Sequence, residues 1–144
     1  MSWNELELNI ALLQPYIVNQ VYENIEYLKG ALETKGISVD TLQVVNAQYD
    51  TQIVDVANML QSIENDLDKI NDNKAQSTYY NEHKDIGNIF TVDDYNRWVL
   101  ILNDLYDIIV NNKGIYKAIK IKENGLYKYM IIDNKQVVVR DEVI

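Results

Sequence analysis

Between residues 42 and 70 the apolar positions recur at alternating spacings of four and three, with a single asparagine among them. This alternation predicts a helix over about 40–71, capped near Asp40, with a coiled-coil seam along one side. Leucine followed three residues later by isoleucine, as in Leu60 and Ile63, favours three or four strands over two. We therefore expect an oligomer whose seam comprises Leu42, Asn46, Tyr49, Ile53, Val56, Leu60, Ile63, Leu67 and Ile70.

Two further segments have helical spacing. Ser2 and Glu5 form a capping-box pattern, which predicts a first helix over about 3–35 that ends at Gly36. Pro15 either kinks this helix near Leu12 or opens a second helix at its first turn, and we favour the kink or break. Thr91 and Asp94 form the same pattern, and they predict a third helix over about 92–112. The apolar positions of these helices are Val18, Val21, Ile25, Leu28 and Leu32 in the first, and Tyr95, Trp98, Leu102, Leu105 and Ile109 in the third.

After Gly114 the spacing of the apolar residues changes from one typical of a helix to one typical of a strand. Runs over 116–122, 126–132 and 136–140 are rich in β-branched residues and tyrosine, and Asn124-Gly125 between the first two is a strong hairpin signal. The predicted fold class is mainly α, a bundle or coiled coil of three helices with a C-terminal three-stranded antiparallel β-meander. The corresponding regions are 1–72, a helical hairpin or coiled coil; 73–90, a polar loop; 91–114, the third helix; and 115–144, the meander.

Composition restricts the classes of partner. The net charge of -9 repels phosphate backbones and anionic lipids, so we expect neither nucleic-acid nor membrane binding. No apolar run approaches the length of a membrane helix, and the acidic start of the chain does not resemble a secretory signal, which predicts synthesis for the cytosol. Cysteine is absent, so stability must come from packing or oligomerisation rather than from disulfides.

No spacing predicts an active site, a metal site or a cofactor site. His83 is the single histidine and lies in the polar loop, where we expect it to be solvated, and no glycine-rich phosphate loop exists. We therefore expect no enzymatic activity and no cofactor. Tyrosine is favoured at half-wet interfaces, and the candidates for partner contact are Tyr79, Tyr80, Tyr127 and Tyr129.

Two segments carry a resemblance to a known family. Residues 90–98, Phe-Thr-Val-Asp-Asp-Tyr-Asn-Arg-Trp, resemble the Phe-x-x-x-Asp-Leu-Asn-Arg-Ile-Glu segment that opens a helix in structural tail and baseplate proteins of phages infecting low-GC Gram-positive bacteria. Residues 24–29, Asn-Ile-Glu-Tyr-Leu-Lys, resemble the Asn-x-x-Tyr-Leu-Lys continuation in that family. This chain departs from the pattern at Tyr95 and Trp98, which replace Leu and Ile, and the residue after Trp98 is not Glu.

The resemblance implies a virion structural protein of the tail, baseplate or neck, made in the host cytoplasm and working as an oligomer. Together with the seam pattern, it leads us to expect assembly with itself, in three or more copies, and with other virion proteins. The alternative is a small acidic monomeric helical module that captures or inhibits a host protein. Helix length separates the two hypotheses, because an intramolecular bundle needs helices of comparable length.

Overall fold

The fold is built from three helices of nearly equal length. The computed structural model describes residues 2–71, 75–87 and 89–111, apart from the side chain of Ile53, and the backbone alone of residues 119–123, 126–133 and 136–142. The helices are α1 (Pro15–Thr34), α2 (Ile53–Asn71) and α3 (Val92–Ile109), of 20, 19 and 18 residues.

Helix α1 begins at Pro15, whose fixed φ suits the first turn of a helix and whose missing N–H is not needed there. It ends at Thr34, and Gly36, two residues farther on, adopts a φ of 82° that glycine tolerates. Residues 2–14 are not helical, so the predicted helix from residue 3, with its Ser2 capping box, is wrong. This segment is held instead by Asn24, which accepts the backbone N–H of Asn4 at 2.8 Å and donates to the Asn4 carbonyl at 3.0 Å.

Helix α2 is shorter than the seam predicted. It begins at Ile53, and residues 37–52 form a non-helical connection, so the prediction of a helix from residue 40 is wrong over that stretch. The physical reason is that polar side chains of α1 and α2 bind the backbone of the connection while its apolar residues fill the core. These core residues are Ile37, Val39, Leu42 and Val45.

Helix α3 confirms the predicted capping box. The Thr91 hydroxyl accepts the backbone N–H of Asp94 at 3.3 Å, and the Asp94 carboxylate accepts the backbone N–H of Thr91 at 2.9 Å. The helix ends at Ile109, a little before the predicted end at about residue 112.

The apolar faces of the three helices meet in one core, in which α1 packs against both α2 and α3. The predicted apolar positions of α1 and α3 are all buried, as expected from their spacing. In α2 the residues that point into this core are at most 4% exposed. They are Leu60, Ile63, Leu67 and Ile70.

The predicted fold class requires a correction. Where the structure describes side chains, the fold consists of three helices and their connections with no strand, so it is mainly helical and the β-meander predicted as part of it is not seen there. Beyond the helices, only backbone pairing is described, between β1 (Ile119–Glu123), β2 (Leu126–Asp133) and β3 (Gln136–Glu142), antiparallel in the order β1-β2-β3. The predicted Asn124-Gly125 turn and the Gly114 helix stop lie outside the described residues.

Candidate functional site

Glu64 lies at the centre of a buried polar cluster that joins α2, α3 and the connection between them. Its side chain has no exposed surface. Arg97 donates to both carboxylate oxygens, from Nη1 to Oε1 at 2.6 Å and from Nη2 to Oε2 at 3.2 Å. Trp98 Nε1 donates to Oε1 at 3.0 Å, and the backbone N–H of Lys84 donates to Oε2 at 3.2 Å. Four donors therefore occupy the lone-pair directions of one carboxylate.

These contacts keep Glu64 ionised despite its burial. Burial alone raises the pKa of the Glu64 carboxyl, but hydrogen bonds from Arg97 and Trp98, the Arg97 charge and the Lys84 N–H together lower it below its usual value. An ionised carboxylate with every acceptor site occupied is poorly suited to take a proton or to bind a substrate. The cluster therefore serves to hold α2 and α3 in register.

Tyr80 and His83 extend the cluster toward the surface. The Tyr80 hydroxyl donates to Asp68 Oδ1 at 2.8 Å, and it lies 3.1 Å from Nδ1 of His83. That nitrogen is 3.7 Å from Glu64 Oε2, and the Arg97 guanidinium lies 5.2 Å from the centre of the Tyr80 ring. Burial, and then the hydrogen bond to Asp68, raise the pKa of the Tyr80 hydroxyl. His83, predicted to be a solvated loop residue, is exposed, and its ring lies beside the buried Glu64 carboxylate.

The connection between α2 and α3 is tied to both helices. The Asp104 carboxylate accepts the Ser77 hydroxyl at 2.8 Å and the backbone N–H of Thr78 at 2.9 Å. Farther along, the Gln61 side chain accepts the backbone N–H of Ile86 at 2.6 Å. The described residues of this segment, predicted as a polar loop or hinge, therefore belong to the folded body.

The connection between α1 and α2 is fixed by two side chains. Asn19 holds Ala47 on both sides, accepting its N–H at 2.7 Å and donating to its carbonyl at 3.0 Å. Asp66 Oδ1 accepts the backbone N–H of Gln43 at 2.8 Å and the Lys69 ammonium at 3.3 Å. Burial raises the pKa of the Asp66 carboxyl by more than the Gln43 and Lys69 contacts lower it.

A groove of about 560 Å³ lies between this fixed connection and the first turns of α2. On the helix side its lining residues are spaced three and four apart, so they share one face of α2. They are Asp55, Asn58, Met59 and Ser62. The opposite wall comes from residues 44–52, and the whole lining contains two aspartates, several amides and no cationic side chain.

The residues predicted as an interchain seam fall into two groups. One group is buried within this single chain, Leu42 from the connection and the others from α2. It comprises Leu42, Leu60, Ile63, Leu67 and Ile70. Asn46 and Tyr49 are exposed in the connection, Val56 is 36% exposed on α2, and the Ile53 side chain lies outside the described residues.

The tyrosines predicted to contact a partner differ in their surroundings. Tyr79 is 47% exposed, whereas the Tyr80 hydroxyl and ring are engaged in the Glu64 cluster. The side chains of Tyr127 and Tyr129 lie outside the described residues.

Sequence reasoning missed the Glu64 cluster. Glu64 lies four residues after Leu60 and three before Leu67, at the edge of the apolar strip, which is the signal that could have identified it. Its partner Arg97 is 33 residues away, and no local pattern joins the two positions.

Comparisons with known proteins add no relative: no family model, curated protein or solved structure matches this chain. Among the described residues, no helix is long and apolar enough to cross a membrane. The same part of the chain contains no group of three or more histidine, cysteine or acidic side chains placed to hold a metal ion.

Proposed function

We propose that this chain is a non-enzymatic protein-interaction module whose helical body is complete within one chain. The observation that carries the proposal is the burial of Leu60, Ile63 and Leu67 against the chain's own helices. An apolar strip that is already covered is unavailable to other copies. The three helices also have comparable lengths, which is the condition for an intramolecular bundle.

The groove beside α2 is the surface that this proposal assigns to the partner. Its wall is fixed by Asn19 and Asp66, so a partner meets a preformed shape and little ordering entropy is lost on binding. Val44 and Tyr49, 81% and 85% exposed, add apolar surface on the same connection. Exposed apolar and aromatic side chains beside hydrogen-bonding groups are typical of protein-binding surfaces.

A second candidate function is the virion structural role that the family resemblance implies. Tyr49 and Val56 favour it, because both belong to the predicted seam and both remain exposed in the single chain, Tyr49 in the non-helical connection and Val56 on α2. In this candidate the protein is made in the host cytoplasm and enters the tail, baseplate or neck as a homo-oligomer of three or more copies. The exposed residues Tyr49 and Val56, rather than the buried residues of α2, would then contact neighbouring copies.

The leading proposal is tested by selecting a displayed random-peptide library against the full chain. Asn58→Arg is the groove variant, because it places a long side chain on an exposed helical position of the groove wall. Glu23→Gln, on the exposed side of α1, is the matched control with the same change in net charge. We expect enriched peptides that bind the wild type and the control but not Asn58→Arg. Failure to enrich any such peptide contradicts the proposal.

A further inference from the structure

We propose that the groove between residues 44–52 and α2 binds an extended peptide segment of a partner protein that carries Lys or Arg side chains. This inference rests on the proposed function and names the chemistry of the partner.

The lining of the groove carries net negative charge. Asp50 and Asp55 line the groove, and no Lys, Arg or His side chain does. Neither aspartate forms an ion pair with a described residue. The N-terminus of α2 lies nearby and contributes a positive partial charge of about one half, which is smaller than the two negative charges of the aspartates. The groove therefore remains electronegative and is complementary to a cationic side chain.

The groove also offers hydrogen-bonding groups to a peptide. Asn46, Gln48, Gln52 and Asn58 bring amide groups to the groove, and each amide can both donate to and accept from a peptide backbone. In the described part of the chain, the backbone groups of Asn46 form no hydrogen bond with another residue. Unpaired backbone and amide groups suit an extended segment, whose own N–H and C=O groups are unsatisfied, better than a helix that has paired its own.

The shape of the groove suits a long side chain. The Ala47 backbone is held by Asn19, so the wall of the groove stays apart from the α2 face that carries Asn58 and Met59. Met59 is partly buried and provides an apolar floor against which the methylene stem of Lys or Arg can pack. The groove therefore combines an apolar floor, amide groups and two carboxylates. This combination is complementary to a long side chain with an apolar stem and a cationic end.

The test is a fluorescence-anisotropy titration of the full chain with a labelled decapeptide of alternating Lys and Thr. Peptides with Gln or Glu in place of Lys serve as neutral and acidic comparisons. We expect saturable binding of the Lys peptide only, weakened by salt because the pairs are near the surface. Asp50→Asn with Asp55→Asn should weaken binding about tenfold. The control pair Glu23→Gln and Glu33→Gln removes the same charge from exposed positions of α1 and should change the affinity less than about twofold.

Several results overturn the inference. One is equal binding of the Lys and Gln peptides. Another is equal weakening of binding by the two groove substitutions and by the two control substitutions on α1, which would show that the peptide responds only to the overall negative charge of the protein. Absence of saturable binding by the Lys peptide also overturns it. Failure here remains distinct from failure of the proposed function, because the library selection would still enrich groove-dependent peptides of a different chemistry.

Discussion

Arg97 on α3 places two guanidinium nitrogens on the two carboxylate oxygens of Glu64 on α2, at 2.6 and 3.2 Å. A bidentate pair of this kind fixes orientation as well as distance, because both planar groups must be aligned. Since α1 packs against both helices, this pair closes the third side of the bundle. The same guanidinium also donates to the Glu82 carbonyl at 2.9 Å, so the connection is fixed by the same group.

Replacing Glu64 with Gln should reduce the free energy of unfolding by roughly 3–5 kcal/mol, because Arg97 is left largely buried without its counter-charge. Chemical denaturation followed by far-ultraviolet circular dichroism measures this change. Glu23→Gln, the same substitution at an exposed position of α1, should change stability by less than about 0.5 kcal/mol. Equal effects of the two substitutions would show that the Glu64 cluster contributes no specific stability.

The pH dependence of stability should differ in sign between Glu64 and Asp66. The pKa of Glu64 is lowered from 4.5, so its contribution is present above that value and is lost as the pH falls through the folded-state pKa. The pKa of Asp66 is raised from 3.8, so its ionisation costs stability as the pH rises from 3.8 through the folded-state pKa, and acidification relieves that cost. Between about pH 6 and pH 3.5, Glu64→Gln should therefore lose less stability than the wild type, and Asp66→Asn should lose more.

Denaturant titrations of the three proteins across this range check both signs. Parallel pH profiles for wild type and both variants would mean that neither carboxyl changes its pKa on folding.

Helical spacing in the sequence identified the core faces of α1 and α3 and the buried half of α2. The same spacing wrongly predicted a helix over residues 40–52. Asn19 and Asp66 bind the backbone of this segment in a non-helical form, and heptad spacing carries no information about such contacts. The groove was missed for the same reason, since one of its walls is that connection. The Glu64–Arg97 pair was missed because its members lie on different helices.

Replacing side chains of the predicted seam with alanine should change stability by different amounts at its buried and exposed positions. Ile63→Ala should cost roughly 2–5 kcal/mol of stability, because Ile63 is fully buried in the core. Tyr49→Ala should change stability by less than about 0.5 kcal/mol, because Tyr49 is 85% exposed. Thermal melting of both variants makes the comparison. A large loss for Tyr49→Ala would show that this side chain is covered in solution, as the virion-assembly candidate requires.

The N-terminal segment should be released by substitution of Asn24. Asn24→Ala removes both bonds to the Asn4 backbone from a buried position and should cost about 1–3 kcal/mol. Hydrogen exchange of residues 2–13 should become faster, and Trp3 should lose its packing on Tyr106, where the ring centres are 4.5 Å apart.

Asn96→Ala is the matched control for this experiment. Asn96 holds Asn9 through a similar pair of hydrogen bonds, at 2.9 Å each, but at an exposed site. Its removal should therefore cost less than that of Asn24. Equal or larger effects of Asn96→Ala would contradict the assignment of Asn24 as the main anchor.

Whether the helical body is complete in one chain is decided by the mass of the purified protein in solution, measured by light scattering coupled to size exclusion over a wide concentration range. A body that is complete in one chain predicts a monomer of 16.8 kDa at every concentration. A trimer or larger assembly that persists on dilution would contradict it and would favour the virion-assembly candidate instead.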